Sequence, residues 1–394
     1  MSLTVVCDAR PAQPGFKAHA QRGIGRYCRE LVRALEQLPR PPRLELLIQA
    51  ELPDPGLAPG APRLRAAHGS GGPPLVRRLL GQHWLARRAL ARPWSQGKVV
   101  HFMSHLDAPC RVGPRTVITV HDLIIQKLAH RFRGQKGRLR FGAERWLETR
   151  SLYQAARIIA NSEHTKRDLV ELLGLAPESI TVTHLAAAPG LAAPPGPRER
   201  EQVLARLGLP WEQPFFLYLG GVDQRKDLGT LLAALARLKE QNLPHHLVLA
   251  GRLQSNRAWP ALAEKIRGLG LEQSVHLPGF VEEADLPALF ASCLAFVYPT
   301  LYEGFGLPPL EAMACGAPVV VSRVASLPEV VGRAGILVEP GRVDEMAAAL
   351  ASLARDRELA RELGRRGRER AAGFSWQKTA QRTLEVYREV AGEL

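Results

Sequence analysis

Two carboxylates eight residues apart, Glu303 and Glu311, enclose the most informative stretch of the sequence, EGFGLPPLE. Between them, 304–306 (GFG) has the composition of a tight turn, and Pro308 suits the first turn of a helix, where its missing N–H costs nothing. A turn that leads into a helix N-terminus directs backbone N–H groups and the helix dipole at one point, where an anion binds. The carboxylates would accept hydrogen bonds from hydroxyl groups. A sugar nucleotide meets both requirements.

Two adjacent cations, Arg225 and Lys226, form the second candidate group, in the loop GGVDQRKD that follows an apolar run at 215–219. Placed just beyond a strand, they can neutralise the diphosphate of a leaving nucleotide. No two aspartates of the chain stand two positions apart. The D-x-D pair that often anchors a divalent metal beside a diphosphate is therefore missing. We expect no metal and no separate cofactor, with the two cations acting in the metal's place.

These groups need elements to position them, and the chain supplies two successive sets of alternating strands and helices. The predicted strands of the first half lie at 3–7, 44–48, 98–102, 116–120 and 157–161, and a helix opens at Gly23. Residues 52–74, dense in proline and glycine, predict a mobile loop. The proline-rich stretch 188–198 predicts a linker. The strands of the second half lie at 215–219, 246–250, 275–277, 294–298, 318–322 and 336–338.

This alternation predicts an α/β protein built from two doubly wound, Rossmann-like domains with parallel sheets. We expect residues 1–190 to form the first domain, completed by a C-terminal helix at 376–394, and residues 200–375 to form the second. Ligands of such sheets bind beyond the carboxyl ends of the strands. Both candidate groups follow strands of the second domain, which we therefore expect to bind the nucleotide sugar.

Composition narrows the class of protein. The apolar fraction of 46% favours a globular chain, no apolar run reaches transmembrane length, and the N-terminus lacks the pattern of a signal peptide. Five scattered cysteines without C-x-x-C spacing favour reduced thiols rather than disulfides or a metal site. We therefore expect a cytoplasmic location.

The formal net charge of +15 comes mainly from dispersed arginine. Because these arginines are not interleaved with aromatic residues and no recognition motif is present, we expect no nucleic-acid partner. The arginine-rich stretch 75–94 is either a solvated helix face or a peripheral contact with an anionic membrane at its inner face.

The run from His276 to Pro340 resembles family 4 glycosyltransferases of the GT-B fold, and within them the bacterial mannosyltransferases of polysaccharide and glycolipid assembly. The resemblance extends to RGIGRY at 22–27, TVHDL at 119–123, NSE at 161–163 and FSW at 374–376. It covers nearly the whole chain. Its E-x7-E region is highly specific, whereas the glycine-rich and His-Asp pieces are weak individually.

The resemblance implies a retaining enzyme that works without metal and whose two domains face each other across a donor-binding cleft. It implies that Lys226 and Arg225 contact the donor diphosphate. Glu311 would hold the ribose hydroxyls, and Glu303 would hold the transferred sugar close to the reacting carbon.

The same resemblance implies roles for five further residues. The backbone amides of Phe305, Gly306 and Leu307 would face the donor, Gly23 would permit close approach of the first-domain loop, and His121 would lie near the transferred sugar. The second-domain loop departs from many relatives in two places. Glycine stands at 221 where arginine is frequent, and aspartate stands at 227 where asparagine is frequent; we expect that aspartate to cap a helix.

The leading hypothesis is a hexosyltransferase, with GDP-mannose as the first choice of donor and UDP-glucose or a related UDP-hexose as the second. The acceptor would be a glycan, a glycolipid or a soluble sugar. The base-recognising loops would lie near Arg252 and 280–281. The alternatives are a sugar-nucleotide epimerase or a phosphorylase on the same fold, a basic nucleic-acid-binding protein, and a catalytically inactive nucleotide-sugar binder. Salt-sensitive DNA binding without nucleotide-sugar binding would favour the nucleic-acid alternative.

Overall fold

The computed structural model describes residues 3–17, 23–67, 86–128, 138–209, 212–243 and 245–393. The chain forms two compact units, Met1–Leu185 with Ser375–Leu394, and Ala186–Phe374. Each unit contains one sheet in which every pairing between neighbouring strands is parallel. The prediction of two doubly wound α/β domains is confirmed.

The first unit has a seven-stranded sheet of order β3-β2-β1-β4-β5-β6-β7. Its strands are β1 Thr4–Asp8, β2 Arg43–Gln49, β3 Arg63–Ala66, β4 Val99–Phe102, β5 Thr116–Val120, β6 Arg157–Ala160 and β7 Ile180–Val182. Its described helices are α1 Gly23–Glu36, α2 Ala86–Ser95, α3 Ile124–Lys127, α4 Arg138–Thr149, α5 Glu163–Leu173 and, from the end of the chain, α14 Trp376–Ala391. The central strands β4 and β5 are buried along their whole length, as the apolar sequence of β5 (TVITV) requires.

The second unit has a six-stranded sheet of order β10-β9-β8-β11-β12-β13. Its strands are β8 Phe215–Leu219, β9 His246–Ala250, β10 Val275–Gly279, β11 Ala295–Tyr298, β12 Val319–Ser322 and β13 Ile336–Val338. Its described helices are α6 Pro197–Arg206, α7 Leu228–Glu240, α8 Trp259–Gly268, α9 Leu286–Ser292, α10 Leu307–Ala314, α11 Leu327–Val331, α12 Val343–Arg355 and α13 Arg357–Ala372.

Both sheets therefore reverse their strand order at one point, between β1 and β4 in the first unit and between β8 and β11 in the second. Strand pairing is direct at both points, with Val5 opposite Val99 and Phe216 opposite Ala295. A crevice opens at such a point because the helices that follow the two strands run to opposite faces of the sheet. We therefore expect ligands to bind at the residues that follow these four strands.

Residues 52–74 are not a continuous loop, so that prediction was wrong for part of the segment. Residues 63–66 (RLRA) form the edge strand β3, which pairs with β2 from Leu46–Arg63 to Gln49–Ala66. An edge strand needs one neighbour and can carry polar residues, so its composition resembles that of a loop. Residues 68–74 lie outside the described residues.

The C-terminal helix α14 packs within the first unit. Ser375 caps it by accepting a hydrogen bond from the backbone N–H of Lys378. The buried hydroxyl of Tyr387 lies 2.6 Å from Nδ1 of His101 on β4, and the ring of Trp376 lies 6.3 Å from that of Tyr27 on α1. Among the helices of the described residues, none is both long and apolar enough to cross a lipid bilayer.

Candidate active site

The strands on either side of the second unit's switch point bring Arg225, Lys226 and Glu303 together. The two cations end a short 3-10 turn, Gln224–Lys226, which begins after β8 and is capped where Asp223 Oδ1 accepts a hydrogen bond from the Arg225 backbone N–H at 3.0 Å. Glu303 lies five residues beyond the end of β11. The two loops are tied together because the Leu301 N–H donates to the Arg225 carbonyl oxygen at 2.8 Å.

The Glu303 carboxylate is held through only one of its oxygens. Oε1 accepts hydrogen bonds from Lys226 Nζ at 2.5 Å, from Arg225 Nη1 at 3.2 Å and from the Tyr298 hydroxyl at 3.2 Å. Oε2 accepts no hydrogen bond from any residue that the structure describes. The side chain keeps 13% of its surface exposed. One oxygen is anchored and the other can accept a hydrogen bond from a ligand.

The electrostatics keep Glu303 ionised. Burial alone would raise the pKa of this carboxyl, but the charges of Lys226 and Arg225 and the hydrogen bonds from Lys226 and Tyr298 hold it below its usual value. For Arg225, burial lowers the pKa, yet the carboxylates of Glu303 and Asp223 raise it above its usual value overall. The cluster therefore contains two cations, Lys226 and Arg225, and two carboxylates, Glu303 and the more exposed Asp223.

The turn between Glu303 and Glu311 is shaped by glycine and by a buried aromatic ring. Gly306 has φ +98, and a Cβ there would lie 2.5 Å from a side-chain carbon of Leu327, so only glycine fits. Phe305 is buried, with its ring edge-on to that of Phe374 at 5.9 Å. The turn leads directly into α10, whose first residue is Leu307. Glu311 lies in the second turn of α10 and is 2% exposed.

The structure shows the surroundings of Gly221 and Asp227, the two positions in the loop after β8 where the sequence departs from the family pattern. A Cβ added at Gly221 would meet no heavy atom within 4 Å, so the position frequently held by arginine in relatives is open space. Asp227 is the N-cap residue of α7, as expected, but its carboxylate accepts no hydrogen bond from a backbone N–H of that helix. It accepts hydrogen bonds instead from the Thr230 hydroxyl at 2.9 Å and from the Gly341 N–H at 3.1 Å.

The loops after β9 and β10 meet through Arg252 and Phe280. The guanidinium carbon of Arg252 lies 4.8 Å from the centre of the Phe280 ring, which is 42% exposed. A cation above an exposed ring is an attractive contact that leaves the other ring face accessible. Both loops leave the carboxyl edge of the same sheet that carries Lys226 and Glu303.

In the first unit, His121 directly follows β5 and is buried. Its Nε2 lies 2.8 Å from the Met103 carbonyl oxygen, which can only accept, so Nε2 carries a hydrogen. The Tyr27 ring packs edge-on against the imidazole at 4.9 Å, and the amide of Asn161 donates to the His121 carbonyl oxygen at 2.9 Å. These contacts fix the orientation of the imidazole. Gly23 is the exposed first residue of α1.

Sequence reasoning missed a buried polar chain behind His121. Thr119 Oγ1 lies 2.8 Å from the Tyr27 hydroxyl and 2.8 Å from Nε2 of His101, whose Nδ1 contacts Tyr387. Burial, and then the neighbouring His121, lower the pKa of His101 to about 3, so its ring stays neutral. These partners come from β4, β5, α1 and α14, and no local motif marks a contact so distant in sequence.

The arginine-rich stretch 75–94 is only partly described. Residues 75–85 lie outside the described residues, and α2 places Arg87, Arg88 and Arg92 on its exposed side. The expected contact with an anionic membrane therefore stays a prediction.

Comparison with known protein families gives two adjacent matches. Residues 21–186 match the family described as Glycosyltransferase Family 4, and residues 199–370 match Glycosyl transferases group 1. The chain is 35% identical to O-antigen chain mannosyltransferase B of Escherichia coli over 277 residues, which is 70% of each chain.

A second relative is the MMP alpha-(1->4)-mannosyltransferase of Mycolicibacterium hassiacum, 34% identical over 61% of this chain and 56% of that protein. This chain therefore spans somewhat over half of that relative's length. Among solved structures, sucrose-phosphate synthase from Thermosynechococcus elongatus superposes with a TM-score of 0.79 at 22% identity, covering 100% of both chains. At that identity the likeness supports the fold alone.

Proposed function

Because this chain belongs to the family 4 glycosyltransferases and has their GT-B fold, we propose that it transfers a hexose from a nucleotide sugar with retention of configuration and without a metal. The observation that carries the proposal is the convergence of Lys226 and Arg225 on one oxygen of Glu303 at the switch point of the second unit. This arrangement combines charge for a diphosphate with a carboxylate oxygen left for a hydroxyl.

The proposed roles follow the chemistry of each group. Lys226 and Arg225 stabilise the charge that develops on the departing diphosphate. The free oxygen of Glu303 accepts a hydrogen bond from a hydroxyl of the transferred sugar beside the reacting carbon. Glu311, buried on α10, holds the ribose hydroxyls.

The turn amides, and two residues of the first unit, also have proposed roles. The backbone N–H groups of Phe305, Gly306 and Leu307 stand where a helix dipole favours an anion. We assign Gly23 to close approach of the donor, because a glycine admits a ligand nearest to the backbone. We assign His121, whose ring is held by Met103, to orienting the sugar rather than to deprotonating the acceptor.

Mannose is the proposed sugar and GDP-mannose the first donor, supported by mannosyltransferases among the relatives. A UDP-hexose is the second choice, and the acceptor is a glycan, a glycolipid or a soluble sugar. A thermal-shift panel of GDP, UDP, ADP and their sugars tests the donor, because a ligand of the folded state raises the melting temperature by mass action. A rise with UDP derivatives alone would replace GDP-mannose by the second choice.

We propose retention because of the position of the charged groups. An inverting enzyme needs a general base opposite the leaving group, to take the proton of the attacking hydroxyl. Here the charged groups of the second unit gather where the diphosphate is proposed to bind, so a phosphate oxygen of the leaving group accepts that proton on the same face. NMR of the first product from an α-linked donor is expected to show an α-linkage. A β-linked product would contradict this, and the missed base would be sought first at 121–122.

A further inference from the structure

We propose that Tyr298 is a positioning residue of the transfer reaction, whose hydroxyl holds Lys226 and Glu303 in one arrangement and so leaves Glu303 Oε2 for the substrate. The inference rests on the proposed function, since it concerns the same site. It assigns a task to a residue that carries no charge and that the E-x7-E pattern does not include.

The Tyr298 ring is held rigidly. Tyr298 ends β11, its backbone pairs with Val321 of β12, and its side chain is 3% exposed. The ring stacks against Tyr218 of β8 at 6.2 Å and against Phe296 at 5.8 Å. A hydroxyl on such a ring has a fixed position, because rotation of the side chain would clash with close-packed neighbours.

The Tyr298 hydroxyl bridges the cation and the acid. It accepts a hydrogen bond from Lys226 Nζ at 2.6 Å and donates its one hydrogen to Glu303 Oε1 at 3.2 Å. The Lys226 ammonium also lies 4.4 Å from the centre of the Tyr298 ring. The hydroxyl and the ring therefore both hold the ammonium, and the hydroxyl selects which carboxylate oxygen is anchored.

The Lys226 ammonium has one N–H group that this arrangement leaves available for a ligand. An ammonium has three N–H groups. Lys226 donates to Tyr298 and to Glu303 Oε1, and to no other residue that the structure describes. The third N–H remains for a phosphate oxygen, while Glu303 Oε2 remains for a sugar hydroxyl. Without the Tyr298 hydroxyl, the ammonium and the carboxylate lose the partner that separates these two tasks.

Tyr298→Phe tests the proposal, because it deletes the hydroxyl and keeps the ring. We expect kcat to fall by roughly 10- to 100-fold, as for the loss of a hydrogen bond to a charged group. We expect the donor KM to change less than about threefold, since alignment rather than uniform binding is lost. Tyr153→Phe is the control: it deletes a tyrosine hydroxyl of the first unit that donates to the Leu173 carbonyl oxygen at 2.9 Å, and it should retain wild-type turnover.

A pH profile separates positioning from a general loss of stability. Glu303 faces Lys226 and Arg225 from the 3-10 turn, Tyr298 from β11, and Asp223 at the start of that turn. Because the Tyr298 hydroxyl donates to the ionised carboxylate, its removal raises the pKa of Glu303. The acidic limb of kcat/KM should therefore move to higher pH in Tyr298→Phe and stay in place in Tyr153→Phe. Wild-type kcat with an unmoved limb in Tyr298→Phe would overturn the proposal.

Thermal unfolding provides a readout that does not need activity. A depressed carboxyl pKa contributes stability above its unfolded pKa, and this contribution is lost as pH falls through the folded pKa. The melting-temperature deficit of Tyr298→Phe should therefore be largest near neutral pH and shrink as Glu303 is protonated, while any deficit of Tyr153→Phe stays constant. A constant deficit in both variants would overturn the proposal. A wild-type protein inactive on every nucleotide sugar would contradict the proposed function, and the melting data would still decide the role of Tyr298.

Discussion

The sheets of the two units have the same strand order around the switch point, but the charged residues that follow the strands there differ in their hydrogen bonding. In the first unit, Asp8 ends β1, and Arg10 two residues later binds both of its oxygens, at 2.7 and 2.8 Å. The same guanidinium donates to the Asp107 carbonyl oxygen at 2.9 Å. In the second unit, donors from the loop after β8 and from the end of β11 meet on one oxygen of Glu303.

We interpret Asp8 and Arg10 as a structural ion pair, and Glu303 with its donors as a ligand-binding cluster. Asp8 and Arg10 are both buried, and each satisfies the other, so neither has a reason to bind a ligand. Burial raises the pKa of Asp8 although Arg10 lowers it, as expected for a carboxylate removed from water. Glu303 and Lys226 instead keep hydrogen-bonding capacity unused. Topology fixes where a ligand can bind, and the residues beyond the strands decide whether it does.

The largest expected effect tests the structural side of this contrast. Arg10→Ala leaves the Asp8 carboxylate buried without its partner, which should lower the free energy of unfolding by about 3–5 kcal/mol. Chemical denaturation measures it. Arg382→Ala breaks a pair with Glu385 in α14 whose two side chains are both more than half exposed, and it should cost no more than about 0.5 kcal/mol. If both variants lose the same free energy of unfolding, the Asp8–Arg10 pair stabilises the fold no more than a surface pair does.

The next effect tests the binding side. Lys226→Ala removes the cation 2.5 Å from Glu303 and should slow transfer by roughly two orders of magnitude or more, as for loss of a group that stabilises developing charge. Arg225→Ala should slow it less, because its nitrogen lies farther from Oε1, at 3.2 Å, and its side chain is more exposed. Steady-state kinetics with the donor identified by thermal shift measures both.

The control for the lysine variant comes from the first unit. Lys98→Ala breaks a pair with Glu45 at 2.7 Å, a distance close to that of Lys226 and Glu303. It lies at the start of β4, at the opposite end of the strand from the carboxyl edge, and should leave turnover unchanged. Near-wild-type turnover of Lys226→Ala would contradict the proposal that this lysine stabilises the charge on the leaving group.

The sequence was sufficient to predict the parts of the site that local patterns encode. Apolar runs located the strands β8 and β11, and the residues that follow them were correctly expected at one edge of the sheet, because parallel strands end together. The glycine turn was also readable, since a positive φ at Gly306 and its contact with Leu327 admit no side chain.

What escaped sequence reasoning depends on contacts between distant segments. Edge strand β3 and the short strand β7 have weak apolar patterns, because each pairs with one neighbour only. The bridge from Tyr298 to Lys226 joins residues 72 positions apart, and the contact of His101 with Tyr387 joins residues 286 apart. A buried tyrosine or histidine has the same local signature whether it packs in a core or orients a charged group.

The smallest expected effect is that of removing metal ions. It tests whether the cluster at Glu303 can neutralise a ligand's charge, which the Asp8–Arg10 pair cannot. A diphosphate leaving group needs positive charge, which a divalent ion or fixed cations can provide. Lys226 and Arg225 are fixed by Glu303 Oε1, and Lys226 retains one N–H for the ligand. No D-x-D pair stands in the sequence to hold an ion beside them. Transfer in excess EDTA should therefore proceed at the untreated rate. Abolition by EDTA and recovery with manganese would show that the cations hold Glu303 in place while a metal neutralises the diphosphate.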